Sequence, residues 1–319
     1  MPYVLLIIGF ILLIKGADYF VDGSSKIATK LRVPPLLVGL TIVAFGTSSP
    51  EGTVSIIAAL EGSTDVTLGN VVGSNILNIS LVVGLTAFIS PLKVENDTIR
   101  KEIPFTFLAS FALFVLISDV HLHGADFNII TRSDGIIFLL FFSIFMYYIY
   151  EAARNSRDDE LGEKMIPENP GTWGKNIFFT LVGLGAIIYG GHLVVDSSTT
   201  IAYSFGMSET LVGLTIIAIG TSLPELITSI TAALKKHSDI ALGNIVGSSI
   251  FNILFVLGIA ATIAPLPVNN KIFFDVTVMI ILTIVLFVFA LTQCKVSKRE
   301  GLLLTLAYIL YFIYIIIRN

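Results

Sequence analysis

The sequence contains few charged residues. Of its 319 residues, 13% are Asp, Glu, Lys or Arg, whereas 55% are hydrophobic. Soluble globular domains carry roughly 25% charged residues. The composition therefore excludes a soluble globular protein and indicates a chain that is surrounded mainly by a lipid bilayer.

Other residue types are equally scarce. The single cysteine, Cys294, excludes an intramolecular disulfide and a cysteine metal cluster. The formal net charge is −4 and no basic face is present, so nucleic acid is not an expected partner. An intramembrane hydrolase using Ser48 or Ser222 would need a base at matching depth, yet of the four histidines only His192 lies within an apolar run. We therefore expect neither enzymatic activity nor a cofactor.

Long apolar runs fill most of the chain. A transmembrane helix needs roughly 20 consecutive apolar residues, and ten runs approach or exceed that length. We predict an all-α membrane protein with ten transmembrane helices. The predicted spans lie near residues 3–22, 35–60, 69–90, 102–119, 133–152, 175–196, 209–234, 243–265, 272–293 and 299–317.

Lys and Arg are distributed unequally between the connections. Of the 19 basic residues, fifteen fall in one alternating set of loops and three in the other set with the C-terminal tail. Cytoplasmic loops retain positive charge. We therefore expect a multi-pass protein of the cell membrane with both termini outside and the polar linker 153–174 inside. A regulatory role for this linker has no support in its mixed-charge composition.

The sequence contains an internal repeat. Residues 38–51, VGLTIVAFGTSSPE, match 212–225, VGLTIIAIGTSLPE, at 11 of 14 positions, and residues 69–79 match 243–253 at 8 of 11. Both matches have the same offset of 174 residues. The duplication divides the chain into repeats 1–152 and 175–319, with segments 38–79 and 212–253 as their most similar parts. Because each half has five predicted spans, the two halves must cross the membrane in opposite senses, as in secondary transporters.

A proline interrupts the corresponding helix in each half. Pro50 cannot donate a hydrogen bond to the carbonyl of Gly46, and Pro224 cannot donate to Gly220. Each helix is therefore expected to break at this point, and the freed carbonyls must meet protein, water or an ion. A kink satisfied by hydroxyl groups would explain one such helix. Two interrupted helices in matching positions indicate a transport site instead.

Glu51 and Glu225 directly follow these prolines, deep within apolar stretches. A charge at mid-membrane costs about 2.5–3.5 kcal/mol even on the lenient insertion scale. No Lys or Arg lies at comparable depth; we expect Lys15 to pair with Asp18 along the first span. The expected counter-charge for the two glutamates is a bound cation, or protons when none is bound.

The surrounding residues supply oxygen ligands. Thr47 and Thr221 precede the two glutamates by four residues, and polar side chains recur every fourth residue in the third and eighth spans. Such an oxygen-rich set, without thiol or imidazole, suits Ca²⁺ or Na⁺. Hydrogen bonding between helices is an equally good explanation for Asn70 and Asn244. The two polar rows are Asn70, Ser74, Asn78 and Asn244, Ser248, Asn252.

These segments resemble the two α-repeats of the sodium/calcium exchangers in the Ca²⁺/cation antiporter superfamily, and the resemblance covers the whole chain. It implies a compact prokaryotic type of exchanger, expected to be monomeric, that carries three Na⁺ against one Ca²⁺ while spans 1 and 6 slide across a rigid core. The resemblance assigns the Ca²⁺ ligands to Glu51 and Glu225 with the carbonyls of Thr47 and Thr221. For Na⁺ it adds Ser48, Ser74, Ser222, Ser248, the Ala44 and Ala218 carbonyls and, near the centre, Asn78.

One position departs from part of that family. Several relatives, including the potassium-dependent exchangers, carry Asp where this chain has Asn252. The missing carboxylate weakens the case for K⁺ coupling and makes H⁺ coupling less certain. An H⁺-coupled antiporter and an antiporter of another divalent cation are the alternatives within the same class. A cation channel is the alternative from a different class, because carboxylate and carbonyl rings also form selectivity filters.

Two further acidic residues, Asp22 and Asp196, are related by the same offset of 174. They fall at the ends of the first and sixth predicted spans. We expect them to cap helix ends rather than to bind ions.

Overall fold

The computed structural model describes residues 2–95, 98–158, 172–206 and 218–318. Within these ranges the chain is almost entirely helical. The helices are α1 Pro2–Leu31, α2 Pro35–Thr47, α3 Ser49–Leu60, α4 Thr64–Ile89, α5 Ile103–Leu116, α6 Asp119–His123, α7 Arg132–Asp158, α8 Trp173–Ser204, α9 Ala218–Thr221, α10 Leu223–Leu234, α11 Ser238–Ile263, α12 Lys271–Gln293 and α13 Lys298–Arg318.

Seven of the described helices are long and apolar enough to cross a membrane: α1, α4, α7, α8, α11, α12 and α13. The protein is therefore a multi-pass membrane protein. The predicted second span is divided between α2 and α3, and the fourth consists of a π-helical turn, Thr98–Glu102, followed by the shorter α5. Residues 209–217 of the predicted seventh span lie outside the described residues, so the count of ten spans stays a prediction.

Several helices extend beyond the predicted spans. α1 continues to Leu31 and α8 to Ser204, so Asp22 and Asp196 lie inside these helices and the prediction that they cap helix ends is wrong. Helix α7 likewise continues to Asp158, into the predicted linker 153–174; residues 159–171 of that linker are outside the described ranges. Apolar-run length marks the hydrocarbon boundary, whereas a helix can project past it into polar surroundings.

Two short antiparallel ribbons connect loops that are far apart in sequence. Strand β1, Leu92–Lys93, pairs with β4, Lys295–Val296, and β2, Ile129–Ile130, pairs with β3, Leu266–Pro267. The offset of the sequence repeat places β1 on β3. Each ribbon therefore ties a loop of the first half of the chain to a loop of the second half.

Helices α1 and α8 pack along one another through glycines. A side-chain carbon built on Gly16 would lie 2.9 Å from the carbonyl oxygen of Gly183, and one built on Gly190 would lie 2.8 Å from that of Gly9. No larger residue fits at these positions, because the backbones themselves are in contact. The two long helices form one closely packed pair beside the helices that carry the candidate site.

The most deeply buried helices are α4 and α11, with 72% and 83% of their apolar windows inside the protein, compared with 33% for both α1 and α8. These two central helices contain the polar rows identified in the sequence. Their burial means that the polar side chains face other helices and not lipid.

Candidate ion-binding site

Both proline-containing helices break where the sequence predicts. Ser48 separates α2 from α3 with φ −82° and ψ 2°, and Ser222 separates α9 from α10 with φ −95° and ψ 7°. Neither residue has helical backbone angles, because the following proline removes one hydrogen bond of the helix. Each break places a serine next to the first turn of a helix that begins with Pro and Glu.

Glu51 and Glu225 occupy the first turns of α3 and α10. Their side chains are 1% and 0% exposed. The N-terminal turn of a helix has free N–H groups and a positive partial charge, which stabilises a carboxylate there. The two carboxylates also lie near enough to each other to interact electrostatically. The structure thus brings together the two acidic residues nominated by the sequence.

Hydrogen bonds join the two carboxylates to the opposite half of the chain. The Ser48 hydroxyl donates to Oε1 of Glu225 at 2.9 Å, and the Ser222 hydroxyl donates to Oε1 of Glu51 at 2.9 Å. Ser222 also lies 3.4 Å from Ser74 on α4. All five side chains are buried. They form a compact oxygen-rich centre, which we name the carboxylate centre.

Two asparagines brace the broken helices. Asn70 on α4 donates to the carbonyl of Glu51 at 3.1 Å and to Ser55 at 2.9 Å. Asn244 on α11 repeats the arrangement with Ser229 at 3.0 Å and accepts a hydrogen bond from Thr47 at 3.0 Å. The helix-bonding explanation for Asn70 and Asn244 is therefore correct. Their amides fix α3 and α10 against the central helices.

Several buried oxygens of the nominated residues have no hydrogen-bond partner among the described residues. These atoms are Oε2 of Glu51, Oε2 of Glu225, Oδ1 of Asn78, Oδ1 of Asn252 and Oγ of Ser248. Native proteins leave few buried polar groups unpaired, so each such group calls for a ligand or water. Carboxylate, amide and hydroxyl oxygens are the donor set of a hard cation.

Wide helical turns accompany the two central asparagines. A π-helical segment begins at Asn78 in α4, and a second, Phe251–Val256, contains Asn252 in α11. Such turns shift the register of the helix and are frequent at functional sites. The sequence did not predict a further contact of the central helices: Asn252 donates to Oδ1 of Asn75 at 3.4 Å, and Asn75 donates to the carbonyl of Ser249 at 3.2 Å.

The remaining nominated residues lie on the short helical segments that precede the two breaks. Ala44 lies in the last turns of α2, where its carbonyl accepts a hydrogen bond from the Ser48 N–H at 3.0 Å. Ala218 begins α9, and Thr221 ends it, half-buried. No group of three or more His, Cys, Asp or Glu side chains suited to a metal occurs in the described ranges. Any cation at the carboxylate centre therefore relies on neutral oxygens beside the two glutamates.

Comparison with known proteins places this architecture in a family. The family model for sodium/calcium exchanger protein matches residues 1–151 and 175–317. The putative antiporter CaxA of Alkalimonas amylolytica is 41% identical over 97% of this chain and 96% of its own. The sodium/calcium exchanger MaX1 of Methanosarcina acetivorans is 32% identical over 98% of this chain and 97% of its own.

A solved structure shows the same fold. The sodium-calcium exchanger NCX_Mj, soaked with zero Na⁺ and Ca²⁺, superposes with a TM-score of 0.83 at 30% identity and covers 98% of both chains. These relatives are transporters, which excludes the intramembrane hydrolase considered from the sequence. The duplicated segments, the broken helices and the paired carboxylates thus occur in a chain that belongs to the sodium/calcium exchanger family.

Proposed function

We propose that the protein is a secondary antiporter that exchanges Na⁺ for Ca²⁺ by alternating access, with both ions bound at the carboxylate centre. The observation that carries the proposal is the pair of crossed hydrogen bonds from Ser48 to Glu225 and from Ser222 to Glu51, each 2.9 Å. They connect the two halves of the chain at buried carboxylates. A cation bound there would contact both halves at once.

The charge of the centre supports exchange. Two ionised carboxylates balance one Ca²⁺, and a neutral loaded site is cheaper to move through a low-dielectric protein than an empty site with two negative charges. Ca²⁺ must therefore be replaced by other cations before the site reorients. The names of the relatives CaxA and MaX1, an antiporter and a sodium/calcium exchanger, agree with this mechanism.

The proposed ligands are those nominated from the sequence. Glu51 and Glu225, with the carbonyls of Thr47 and Thr221, would hold Ca²⁺. Ser48, Ser74, Ser222 and Ser248, the carbonyls of Ala44 and Ala218, and the amide of Asn78 would complete the Na⁺ positions. Asn252 would contribute a neutral amide oxygen. The unpaired oxygens of Glu51, Glu225, Asn78 and Ser248 support this assignment.

We further propose ten spans arranged as two inverted five-helix repeats, in a monomer of the cell membrane with both termini outside. The shared offset of 174 residues, the matching breaks at Ser48 and Ser222 and the matching braces at Asn70 and Asn244 support the duplication. The excess of Lys and Arg on one set of loops supports the orientation.

The decisive experiment measures ⁴⁵Ca²⁺ flux in sealed vesicles that contain the purified protein. The proposal predicts that Ca²⁺ leaves loaded vesicles only when Na⁺ is present on the opposite side. Flux that depends on a pH gradient alone would establish H⁺ coupling, and flux that depends on K⁺ would establish a different stoichiometry. Ca²⁺ movement down its own gradient without any counter-ion would establish a channel and contradict the proposal.

A further inference from the structure

A cavity of about 650 Å³ joins the carboxylate centre to exposed helix ends. Its inner wall includes Ser74 and Thr221, both nominated ion ligands. Its outer wall includes the exposed residues Asp65 and Lys271, at the starts of α4 and α12. A cation that enters from this side would therefore pass along this wall before it meets the centre.

A partly buried ion pair forms part of the same wall. Arg318, at the end of α13, contacts Asp275 on α12 through two parallel hydrogen bonds of 2.9 and 3.0 Å. The two side chains are 16% and 8% exposed. Arg318 also donates to the carbonyl of Lys271 at 3.3 Å, while its Nε atom has no partner among the described residues. The Arg318 side chain lines the cavity and bonds to the Lys271 carbonyl as well as to Asp275.

The charges of the described cavity wall cancel. Asp65 and Asp275 contribute two negative charges, and Lys271 and Arg318 contribute two positive charges. A wall on a cation route would attract its ligand more strongly without the two basic residues. Arg318 therefore opposes the entry of cations, and its presence in the wall calls for another role. Its bidentate ion pair with Asp275 offers one.

We propose that the Asp275–Arg318 pair sets the cation selectivity of this entrance by holding its electrostatic potential near neutral. The proposal rests on the function proposed above, since it concerns the route to the same ions. A divalent cation responds to a change in potential with twice the free energy of a monovalent cation. A change in potential that alters the apparent affinity for one Na⁺ by a given factor therefore alters the affinity for Ca²⁺ by the square of that factor. By keeping the potential near neutral, the pair limits the preference for Ca²⁺ over Na⁺ on this side.

A purely structural role makes a different prediction. If the pair only attaches α13 to α12, removing either partner leaves a buried charge without its counter-ion, and both single variants should lose stability and activity. If the pair sets the potential, the two single variants shift cation affinity in opposite directions. Arg318→Lys retains the charge without the bidentate geometry and therefore separates charge from attachment.

The first experiment measures the potential without relying on transport. Gly73 lies in the cavity wall, and a side-chain carbon built there meets no atom within 4 Å. We would introduce Gly73→Cys in a Cys294→Ser background and compare its reaction rates with a cationic and an anionic methanethiosulfonate. A cavity of 650 Å³ is roughly 11 Å across if spherical, so one unit of charge should change each rate about two- to tenfold.

The expected result is a cationic-to-anionic rate ratio that rises in Arg318→Gln and falls in Asp275→Asn. The double variant, with both charges removed, and Arg318→Lys should each return near the starting ratio. A ratio that stays constant in both single variants, or changes in the same direction in both, would overturn the proposal whether or not the protein exchanges Na⁺ for Ca²⁺.

The second experiment measures selectivity in right-side-out and inside-out membrane vesicles. On the face to which the cavity opens, Arg318→Gln should lower the KM for Ca²⁺ about four- to 100-fold. The KM for one Na⁺ should fall by the square root of that factor, about two- to tenfold. On the other face neither KM should change. Equal shifts of KM on both faces would contradict a role at the entrance. If wild-type Ca²⁺ flux does not depend on a counter-ion, the proposed antiport is contradicted, and the labelling experiment alone then tests the role of the ion pair.

Discussion

The hydroxyl of Ser48 lies 2.9 Å from Oε1 of Glu225, a residue 177 positions further along the chain. The hydrogen bond therefore joins the two halves of the chain at a buried carboxylate. Bonds between a neutral donor and a buried charged acceptor contribute about 1.5–3 kcal/mol. The corresponding bond from Ser222 to Glu51 has the same length.

We predict that Ser48→Ala and Ser222→Ala each weaken Ca²⁺ binding by about ten- to 100-fold, because each variant releases one carboxylate from its fixed position. The measurement is the KM for ⁴⁵Ca²⁺ in Na⁺-loaded vesicles. Ser49→Ala is the matched control, since the Ser49 hydroxyl is half-buried and donates to the nearby carbonyl of Phe45 at 2.8 Å. An unchanged KM in both alanine variants would show that these serines do not position the carboxylates.

Replacing either carboxylate should abolish exchange. Glu51→Gln and Glu225→Gln each remove half of the negative charge that balances Ca²⁺, while the shape of the side chain stays the same. We expect ⁴⁵Ca²⁺ exchange no greater than the background of protein-free vesicles. The thermal midpoint of each variant should be no lower than that of the wild type, since one buried charge has been removed. Glu61→Gln, at the exposed end of the same helix as Glu51, should exchange normally. Near-normal transport in either buried variant would show that the cation binds elsewhere.

The contact between α1 and α8 provides a stability test. A side-chain carbon on Gly183 would lie 2.7 Å from the carbonyl of Gly16, so Gly183→Ala must separate the helices. We expect a loss of about 1–3 kcal/mol in stability, measured as a lower thermal midpoint in detergent. Gly185→Ala, two residues away with no atom within 4 Å, should be neutral or stabilise by about 0.5–1 kcal/mol. Equal effects of both substitutions would contradict the close approach.

Lys235, at the end of α10, links that helix to α1. Its ammonium donates to Oδ1 of Asp22 at 2.8 Å and lies 3.3 Å from Oδ1 of Asp18. The ammonium of Lys15 lies 3.9 Å from Oδ2 of Asp18. The neighbouring His237 hydrogen-bonds with Ser25 at 3.4 Å. Burial lowers the pKa of His237, so this imidazole is neutral beside Lys235 at physiological pH.

We predict that Lys235→Met and Asp22→Asn are not additive in stability, with a coupling of about 0.2–1 kcal/mol because the pair is partly exposed. Thermal unfolding of the two single variants and the double variant measures this coupling. Lys236→Met, at the exposed neighbouring position, is the control and should show no coupling to Asp22→Asn. If the stability losses of Lys235→Met and Asp22→Asn add exactly in the double variant, the ion pair contributes nothing to the stability of the protein.

The sequence predicts the elements that follow from local chemistry. Pro50 and Pro224 predict the helix breaks at Ser48 and Ser222, and the depth of Glu51 in an apolar run predicts its burial. The spacing of Lys15 and Asp18 predicts their pairing, which the structure confirms at 3.9 Å. Each of these predictions depends on residues within a few positions of one another.

Relationships across the two halves could not be predicted in the same way. The repeat offset equates Ser48 with Ser222 but does not say whether each serine contacts the glutamate of its own half or of the other. The hydrogen bond from Asn252 to Oδ1 of Asn75 joins α11 to α4, and Asn75 belongs to neither of the polar rows that the sequence spacing indicates. The error at Asp22 and Asp196 arose because the helices continue well past the apolar runs.

The bond between Lys235 and Asp22 does not have a counterpart of the same charge in the other half. The repeat offset places Lys235 on Glu61, Asp22 on Asp196 and Asp18 on His192. His192 lies 3.2 Å from Asp196 on its own helix. A lysine that contacts two aspartates, Asp18 and Asp22, thus corresponds in sequence to an acid, Glu61, while Asp196 lies beside an imidazole of its own helix. The two halves are therefore alike at the carboxylate centre but differ in the ion contacts of their long helices, α1 and α8.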